Sequence, residues 1–268
     1  AIAIVGDAAI GAGMSLEALN HAGHLKRNLI VILNDNKMAI SGTIGAISKH
    51  LNKIRTSPLY TDFKKEVRHV LHSLPIVGKR MEHSFEHIAE ALKREITPGQ
   101  IFVDLGFDYF GPIDGHSIET LTDIFNNIKN VEGPILLHVI TEKGKGFHPA
   151  SENPARFHSA GNYQMQNGEM KEKPKDPKQI SYTKVFGDTM IELAESNRDI
   201  VAITAAMPDG TGLDAFGKKY PDRYIDVGIC EQHAIGLANG LVSAGIKPVA
   251  AIYSTFLQRA YDQVFHDM

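Results

Sequence analysis

The stretch "AIVGDAAIGAG", residues 3–13, joins an apolar run to a turn rich in glycine and alanine. The apolar residues predict a strand that ends at Gly6 and Asp7, and the small residues lead into a helix. A Walker phosphate loop needs Lys followed by Ser or Thr after its last glycine, and a dinucleotide fingerprint needs glycine where Leu16 stands. Neither pattern fits. The turn instead offers one carboxylate, Asp7, beside a helix start, which suggests a metal that bridges this acid to a phosphate.

Apolar runs alternate with helical patterns along both halves of the chain, which predicts an α/β fold with mostly parallel sheets flanked by helices. A polar, proline-bearing segment between them, residues 148–180, predicts a linker. The predicted domains are therefore 1–147 and 181–268, both truncated. The predicted strands are residues 1–5, 28–34, 134–141, 199–204, 224–228 and 247–253, and the principal helices are 15–23, 117–130, 181–197, 213–219, 231–244 and 255–267.

The composition excludes several classes of protein. With 268 residues, 43% of them hydrophobic, the chain can bury one or two cores. Its 28 basic and 31 acidic residues nearly cancel, so no overall field favours nucleic acid or an anionic membrane. The single cysteine excludes an internal disulfide framework, and no apolar run reaches the roughly 20 residues of a membrane span. We expect a cytoplasmic protein, and its two ends predict a piece of a longer chain.

A first group of polar residues joins Asp7 to "LNDNKMAIS", residues 33–41. One helix links the two strands concerned, so a right-handed crossover brings both carboxyl ends to one sheet edge, where α/β proteins bind ligands. Asp7 and Asn36 offer hard oxygens suited to magnesium. The alternative is that Asp7 caps a helix, and that Asn34, Asp35 and Asn36 only form a turn.

A second group lies in "DVGICEQHAIGLANGLVSAG", residues 226–245, where Glu231 begins a helix of small apolar residues. A carboxylate in such dry surroundings can act as a proton partner. The alternative is a first-turn acid that interacts only with the helix dipole.

A third group lies in "AIYSTFLQRAYDQV", residues 251–264, where Phe256 and Arg259 are three residues apart on one predicted helix face. Phe256 could stack on a ring, and Arg259 could clamp a phosphate. The alternative is core packing beside a surface salt bridge.

Histidines in the middle of the first half invite a zinc interpretation, because His83 and His87 have i, i+4 spacing. Position 84 is serine, however, so the glutamate of HExxH is missing. These residues, like His69 and His72, are typical of a solvated helix. The basic run from Lys64 to Lys93 raises nucleic-acid binding as a non-enzyme hypothesis, but it has few stacking aromatics and alternates with glutamate.

Taken together, these groups resemble the 1-deoxy-D-xylulose-5-phosphate synthase family of thiamine diphosphate enzymes. The strings that carry the resemblance span nearly the whole chain and follow the family's order. They are "GDAAIGAGMSLEALNHAG", "LNDNKMAIS", "GPIDGH", "EKGKGF", "FGDTMIELA", "PDRYIDVGICEQHA" and "AIYSTFLQRAYDQVFHD". The last of these strings is the most specific.

The resemblance implies a role for each candidate residue. Asp7, Asn36 and the main-chain oxygen of Met38 would bind magnesium, and Ala8 and Ala9 would line the diphosphate of the cofactor. The family's usual Gly-Asp-Gly is here Gly-Asp-Ala, and alanine fits if its φ is negative. Lys143 and Phe147 would belong to a loop that closes over the cofactor. Glu231 would form a hydrogen bond with the aminopyrimidine ring, and Phe256 would stack on that ring. Tyr253 and Arg259 would bind the phosphate of the acceptor substrate.

The implied activity is condensation of pyruvate with glyceraldehyde 3-phosphate to 1-deoxy-D-xylulose 5-phosphate and carbon dioxide, the entry to isoprenoid and thiamine precursors. The resemblance also implies a homodimer and, because family elements before Asp7 and after the last helix are missing, a fragment inactive alone. Two alternatives stay open. One is a transketolase-like ketose transferase, and the other is a cofactor-binding fragment without turnover.

Overall fold

The computed structural model describes residues 1–38, 44–56, 99–158, 160–166, 169–172 and 180–267. Two compact units divide the described residues. The first lies within Ala1–Ile10, Met14–Asn36 and Ile47–Thr141, and the second within Gly11–Gly13, Lys37–Ala46 and Glu142–Met268. In the described ranges, no helix combines the length and apolar character needed to cross a membrane.

The first unit contains a parallel sheet of four strands in the order β1-β2-β4-β3. The strands β1 and β2 occupy the positions that the sequence predicts to within one residue, and so does β4. Their bounds are β1 Ile2–Gly6, β2 Leu29–Asp35, β3 Asp108–Asp114 and β4 Pro134–Ile140, with helices α1 Gly13–Leu25, α2 Ala46–Thr56, α3 Gln100–Asp104 and α4 Ile118–Ile128.

Both faces of this sheet are covered, as the mostly apolar run of β4 predicts. Alternate residues of β4 enter different cores: Leu136 packs with Val31 and Leu33 on one face, and Ile135 and Leu137 pack on the other. The first face is completed by Leu51 of α2, by Phe102 of α3 and by other apolar residues. The predicted fold class, mostly parallel sheets flanked by helices, is confirmed.

The strand β3 is absent from the sequence prediction, because Gly111 and Pro112 interrupt it with residues typical of turns. In the structure these two residues form an irregularity in which the pairing register shifts between Phe110 and Ile113. Gly111 has φ +121°, and a Cβ there would lie 2.5 Å from the main-chain oxygen of His138. Glycine is therefore required where β3 approaches β4 most closely.

The second unit contains a parallel sheet of three strands in the order β8-β7-β9 and a separate antiparallel pair, β5 and β6. Its strands are β5 Tyr163–Gln166, β6 Glu169–Glu172, β7 Ile200–Thr204, β8 Tyr224–Asp226 and β9 Lys247–Ala251. The helices are α5 His148–Glu152, α6 Pro154–His158, α7 Tyr182–Ser196, α8 Pro208–Thr211, α9 Asp214–Lys219, α10 Glu231–Ser243, α11 Ser254–Leu257 and α12 Tyr261–Asp267, and the 3₁₀ turns are Pro221–Arg223 and Gln258–Ala260.

Two sequence expectations differ from this unit in detail. The predicted helix over 255–267 is broken into α11, a 3₁₀ turn and α12. The predicted linker 148–180 contains two short helices and the β5–β6 pair within its described residues. Pro149 and Pro154 suggested a linker, yet each stands in the first turn of a helix, where a missing N–H is tolerated.

Candidate functional site

Asp7 lies at the carboxyl edge of the first sheet, immediately after β1. Its main-chain N–H donates to the Asn34 oxygen at 3.2 Å, which extends the β1–β2 pairing by one step. The residue is only 5% exposed, so its carboxylate is held inside the edge of the sheet. The structure therefore places this predicted metal ligand at the edge where ligands of α/β sheets bind.

The electrostatics of Asp7 are those of a crowded buried acid. Burial raises the pKa of its carboxyl to about 6, and the neighbouring Asp35 carboxylate adds to that effect. Hydrogen bonds from the main-chain amides of Asp7, Asn36 and Ala8 act in the opposite direction. The structure thus brings Asn36 to Asp7, as the sequence predicts, and adds Asp35 as a second negative charge.

The main-chain amides of the turn after Asp7 are used in hydrogen bonds within the turn itself. The N–H groups of Ala9 and Ile10 both donate to the Gly6 oxygen at 3.0 Å, and the Ala8 amide serves the Asp7 carboxylate. Among the described non-glycine residues, positive φ is confined to Lys26, Lys37 and Ala206. Ala8 therefore does not have a positive φ. This is the condition under which alanine can replace the family's usual glycine at this position.

A hydrogen-bonded chain that the sequence analysis missed lies beside this edge. His138 of β4 is fully buried, its Nδ1 lies 2.7 Å from the Tyr109 hydroxyl, and its Nε2 lies 3.1 Å from Asp35 Oδ2. Burial, together with the Asp35 charge, raises the pKa of Tyr109 far above its usual value. The available signal was a histidine inside the otherwise apolar run "PILLHVIT".

His50 of α2 is an electrostatic neighbour of His138. Its Nε2 is buried, with no hydrogen-bond partner among the described residues. Burial lowers the pKa of His50, and the Lys53 charge contributes to the same shift.

In the second unit, Glu231 is the first residue of α10 and is 3% exposed. Arg259 Nη1 donates to Glu231 Oε2 at 2.5 Å, across 28 residues of sequence. Both residues were singled out from the sequence, but their contact was not predicted. Burial raises the pKa of the neighbouring Cys230 thiol, with a further contribution from the Glu231 charge and opposition from Arg259.

Two aromatic residues stand close to Arg259 along the chain. The rings of Tyr253 and Phe256 stack with centroids 6.0 Å apart and planes 10° apart, and about two fifths of each residue is exposed. Phe256 belongs to α11 and Arg259 to the following 3₁₀ turn. The backbone stays right-handed helical from Leu257 through Gln258 to Tyr261, and side chains three residues apart lie on the same side of a 3₁₀ turn, so the shared face of Phe256 and Arg259 stays a prediction.

Lys143 and Phe147 each contact a residue in the 20 positions that follow them. Lys143 Nζ donates to His158 Nδ1 at 2.5 Å. Burial lowers the pKa of His158, and the Lys143 charge adds to that shift. The Phe147 ring meets Phe157 edge-on at 5.7 Å, and Phe157 meets Tyr163 in the same way.

The described residues give a limited set of possible metal ligands. Within them, no group of three or more His, Cys, Asp and Glu side chains is arranged to hold a metal ion. Met38 belongs to the second unit, and its main-chain oxygen stays a predicted ligand. The histidines considered for zinc, His69, His72, His83 and His87, lie outside the described residues, as does the basic run from Lys64 to Lys93.

Solved structures of transketolases resemble this chain only weakly. The enzyme from Leishmania mexicana is 16% identical, with 98% of this chain and 44% of that chain covered and a TM-score of 0.32. The enzyme from Campylobacter jejuni is 14% identical with the same coverage and a TM-score of 0.34. Scores this low carry no argument about the fold.

Sequence comparisons are much stronger. A 1-deoxy-D-xylulose-5-phosphate synthase from Clostridium acetobutylicum is 52% identical over 267 residues, and one from Natranaerobius thermophilus is 49% identical over the same length. Each alignment covers 100% of this chain and 42% of the relative, so the chain spans about two fifths of these proteins. The transketolase pyrimidine-binding domain model matches residues 178–268, and the 1-deoxy-D-xylulose-5-phosphate synthase model matches residues 1–141. By these matches, the chain belongs to the 1-deoxy-D-xylulose-5-phosphate synthase family.

Proposed function

We propose that the chain is the cofactor-binding part of an enzyme that condenses pyruvate with glyceraldehyde 3-phosphate, giving 1-deoxy-D-xylulose 5-phosphate and carbon dioxide. The observation that carries the proposal is the buried carboxylate of Glu231 at the start of α10, in a chain of this family. Residues 1–147 would bind the magnesium diphosphate and residues 181–268 the pyrimidine, with 148–180 connecting them. The complete protein would act as a homodimer.

The donor set at Asp7 fits magnesium. Mg²⁺ is commonly bound through one or two carboxylates, with waters and substrate phosphates completing its octahedron. Asp7 would supply a carboxylate oxygen, Asn36 an amide oxygen and Met38 its main-chain oxygen, which are all hard ligands. A cation would also offset the repulsion between Asp7 and Asp35, which contributes to the raised Asp7 pKa of about 6. Ala8 and Ala9 would line the diphosphate.

In the proposed reaction, thiamine diphosphate supplies the electron sink when it is bound. Glu231 would exchange a proton with a pyrimidine nitrogen, which requires a buried carboxylate at a fixed position. Phe256 offers a partly exposed ring face for stacking. Lys143 and Phe147 would close over the cofactor. Tyr253 and Arg259 would bind the phosphate of glyceraldehyde 3-phosphate, and the Arg259 guanidinium would serve both that phosphate and Glu231.

Product analysis tests the proposal. The complete protein, meaning the full coding product that includes residues 1–268, is incubated with thiamine diphosphate, MgCl₂, pyruvate and glyceraldehyde 3-phosphate. We expect carbon dioxide and 1-deoxy-D-xylulose 5-phosphate in equal amounts, and neither product from Asp7→Ala. A preference for a ketose phosphate donor over pyruvate would contradict the proposal in favour of a transketolase-like transferase. We expect no turnover from residues 1–268 alone, because they cover 42% of the relatives' length.

A further inference from the structure

Three polar side chains form a hydrogen-bonded chain across the first sheet, perpendicular to its strands. Tyr109 lies on β3, His138 on β4 and Asp35 at the end of β2, and these strands are neighbours in the order β2-β4-β3. The two links are 2.7 Å and 3.1 Å long. No role assigned to Asp7, Asn36 or any other candidate residue explains why the otherwise apolar strand β4 carries this histidine.

The strand register shows that the hydrogen-bonded row of Tyr109, His138 and Asp35 ends beside Asp7. Leu33 pairs with His138, and Tyr109 pairs with Leu136 two residues away, so alternation places Asp35, His138 and Tyr109 on one face. Val5 of β1 pairs with the same Leu33. Asp7 lies two residues after Val5, and Asp35 lies two residues after Leu33. The two acids are therefore side by side at the carboxyl ends of β1 and β2.

The chemistry of the groups fixes the direction of the hydrogen bonds. The Asp35 carboxylate can only accept, so His138 Nε2–H must donate to it. When the ring is neutral, its Nδ1 atom is then the acceptor and the Tyr109 hydroxyl donates to it. Each of the three side chains has a partner, so the neutral imidazole has one tautomer and its Nε2–H holds the Asp35 carboxylate by a hydrogen bond.

We propose that Tyr109 and His138 are positioning residues that hold the Asp35 carboxylate beside Asp7, so that its negative charge strengthens magnesium binding by Asp7 and Asn36. The inference rests on the proposed function, since it assumes the metal site. It adds that Asp35 raises cation affinity through its charge, and that Tyr109 and His138 act only through Asp35. Residues hydrogen-bonded to a metal ligand typically change metal affinity by roughly 10–100-fold, and Tyr109 and His138 act one residue further from the cation, through Asp35, so we expect the lower end of that range.

Packing offers the competing explanation, because the Tyr109 ring is stacked on Phe102 with planes 3° apart. Tyr109→Phe separates the two explanations. It keeps the ring, and hence the stacking, and removes only the hydroxyl that donates to His138. Asp35→Asn complements it, because the amide oxygen still accepts from His138 while the charge is lost.

The test uses the complete protein and calorimetric titration with thiamine diphosphate at a series of fixed MgCl₂ concentrations. From the magnesium dependence, we expect Tyr109→Phe to weaken magnesium binding by about tenfold, the lower end of the range for hydrogen-bond partners of metal ligands. Asp35→Asn should weaken it by at least as much. In the Asp35→Asn background, Tyr109→Phe should then change magnesium affinity by less than about twofold, because its route to the metal is already removed.

Two further variants serve as rescue and control. His138→Gln retains a donor and an acceptor and should restore part of the affinity that His138→Leu loses. Thr211→Val removes a buried hydroxyl of the second unit that donates to the Met207 oxygen at 2.7 Å, and it should leave magnesium affinity unchanged.

The outcomes distinguish this inference from the proposed function. Magnesium-dependent binding by the unsubstituted protein, unchanged in Tyr109→Phe, would overturn the positioning role alone. An equal loss from Tyr109→Phe with and without Asp35→Asn would do the same, since the hydroxyl would then act without Asp35. Failure of the unsubstituted protein to bind thiamine diphosphate in a magnesium-dependent way would overturn both proposals.

Discussion

Arg259 and Glu231 form an ion pair in which the carboxylate is almost completely buried and the guanidinium is 30% exposed. The two partners are therefore not equivalent. Loss of Arg259 leaves a buried charge without its cation, whereas loss of the Glu231 charge leaves a cation that water can reach.

We predict that Arg259→Gln destabilises the complete protein more than Glu231→Gln does. Breaking a buried pair by removing one partner costs up to roughly 3–5 kcal/mol. Glu231→Gln keeps an oxygen that accepts from Arg259 and weakens this hydrogen bond without removing it, so it should cost less than the loss of a hydrogen bond to a charged group, which costs about 1.5–3 kcal/mol. Thermal denaturation without cofactor or substrate measures both effects. Equal midpoints for the two variants would show that the pair is solvent-screened, in conflict with the burial of Glu231.

A second prediction concerns pH and Asp7. The pKa of this carboxyl is raised from 3.8 to about 6, so the folded chain binds the proton more tightly than the unfolded chain does. Ionisation therefore destabilises the folded state as pH rises through about 6, by roughly 3 kcal/mol when complete. Asp7→Asn removes this cost, so it should raise the denaturation midpoint at pH 7.5 and have little effect at pH 4.

The measurement is a series of thermal denaturations from pH 4 to pH 7.5 without magnesium. Asp188→Asn is the matched control, because Asp188 is an exposed acid paired with Lys184 at 2.7 Å. It should change stability by no more than about 1 kcal/mol at any pH in the series. A loss of stability in Asp7→Asn at pH 7.5 would contradict the assignment of Asp7 as a destabilising buried charge.

A third prediction links Gly210 to Tyr253. A Cβ at Gly210 would overlap the Tyr253 hydroxyl and lie 2.9 Å from Cζ. The partly exposed tyrosine would have to move, and with it the hydrogen bond that we propose it makes to the substrate phosphate. Since such bonds contribute about 1.5–3 kcal/mol, we expect Gly210→Ala to raise KM for glyceraldehyde 3-phosphate about tenfold or more with a smaller change in kcat.

Steady-state kinetics of the complete protein test this link. Tyr253→Phe should raise the same KM, and the double variant should add little to either single change. Gly240→Ala is the control, because a Cβ there meets no atom within 4 Å. A KM effect of Gly210→Ala that persists in full beside Tyr253→Phe would mean that the glycine acts independently of the tyrosine.

Local pattern was enough to predict the strands whose apolar runs are continuous. Residues 28–34 and 134–141 differ by at most one residue at each end from Leu29–Asp35 and Pro134–Ile140. The crossover rule also placed Asp7 and Asn36 at one edge, where the Asn36 amide now bonds the Asp7 carboxylate. These successes share a cause, since burial on both faces imposes an apolar run that is visible in sequence.

Long-range relationships could not be predicted in the same way. Gly111 is needed in β3 because a Cβ there would meet the main-chain oxygen of His138 in β4, and that constraint exists only in three dimensions. The Glu231–Arg259 pair spans 28 residues. The Tyr109–His138–Asp35 chain depends on the order of strands in the sheet, which hydrophobic periodicity does not specify.

The central claim is that Glu231 acts on thiamine diphosphate rather than on the helix dipole. Glu231→Gln keeps the size and hydrogen bonding of the side chain but cannot exchange a proton in the same way. A purely dipolar role would cost about 0.3–1 kcal/mol of stability and no catalytic step. Arg259→Lys is the control, since it alters the ion pair while the carboxylate is retained.

The most direct measurement is hydrogen–deuterium exchange at the reactive thiazolium carbon of thiamine diphosphate, followed by NMR in the magnesium-loaded complete protein. We predict that Glu231→Gln slows this exchange by roughly 10²–10⁴-fold, the range typical of general acid–base groups, while Arg259→Lys slows it far less. Exchange in Glu231→Gln at the rate of the unsubstituted protein would contradict the account.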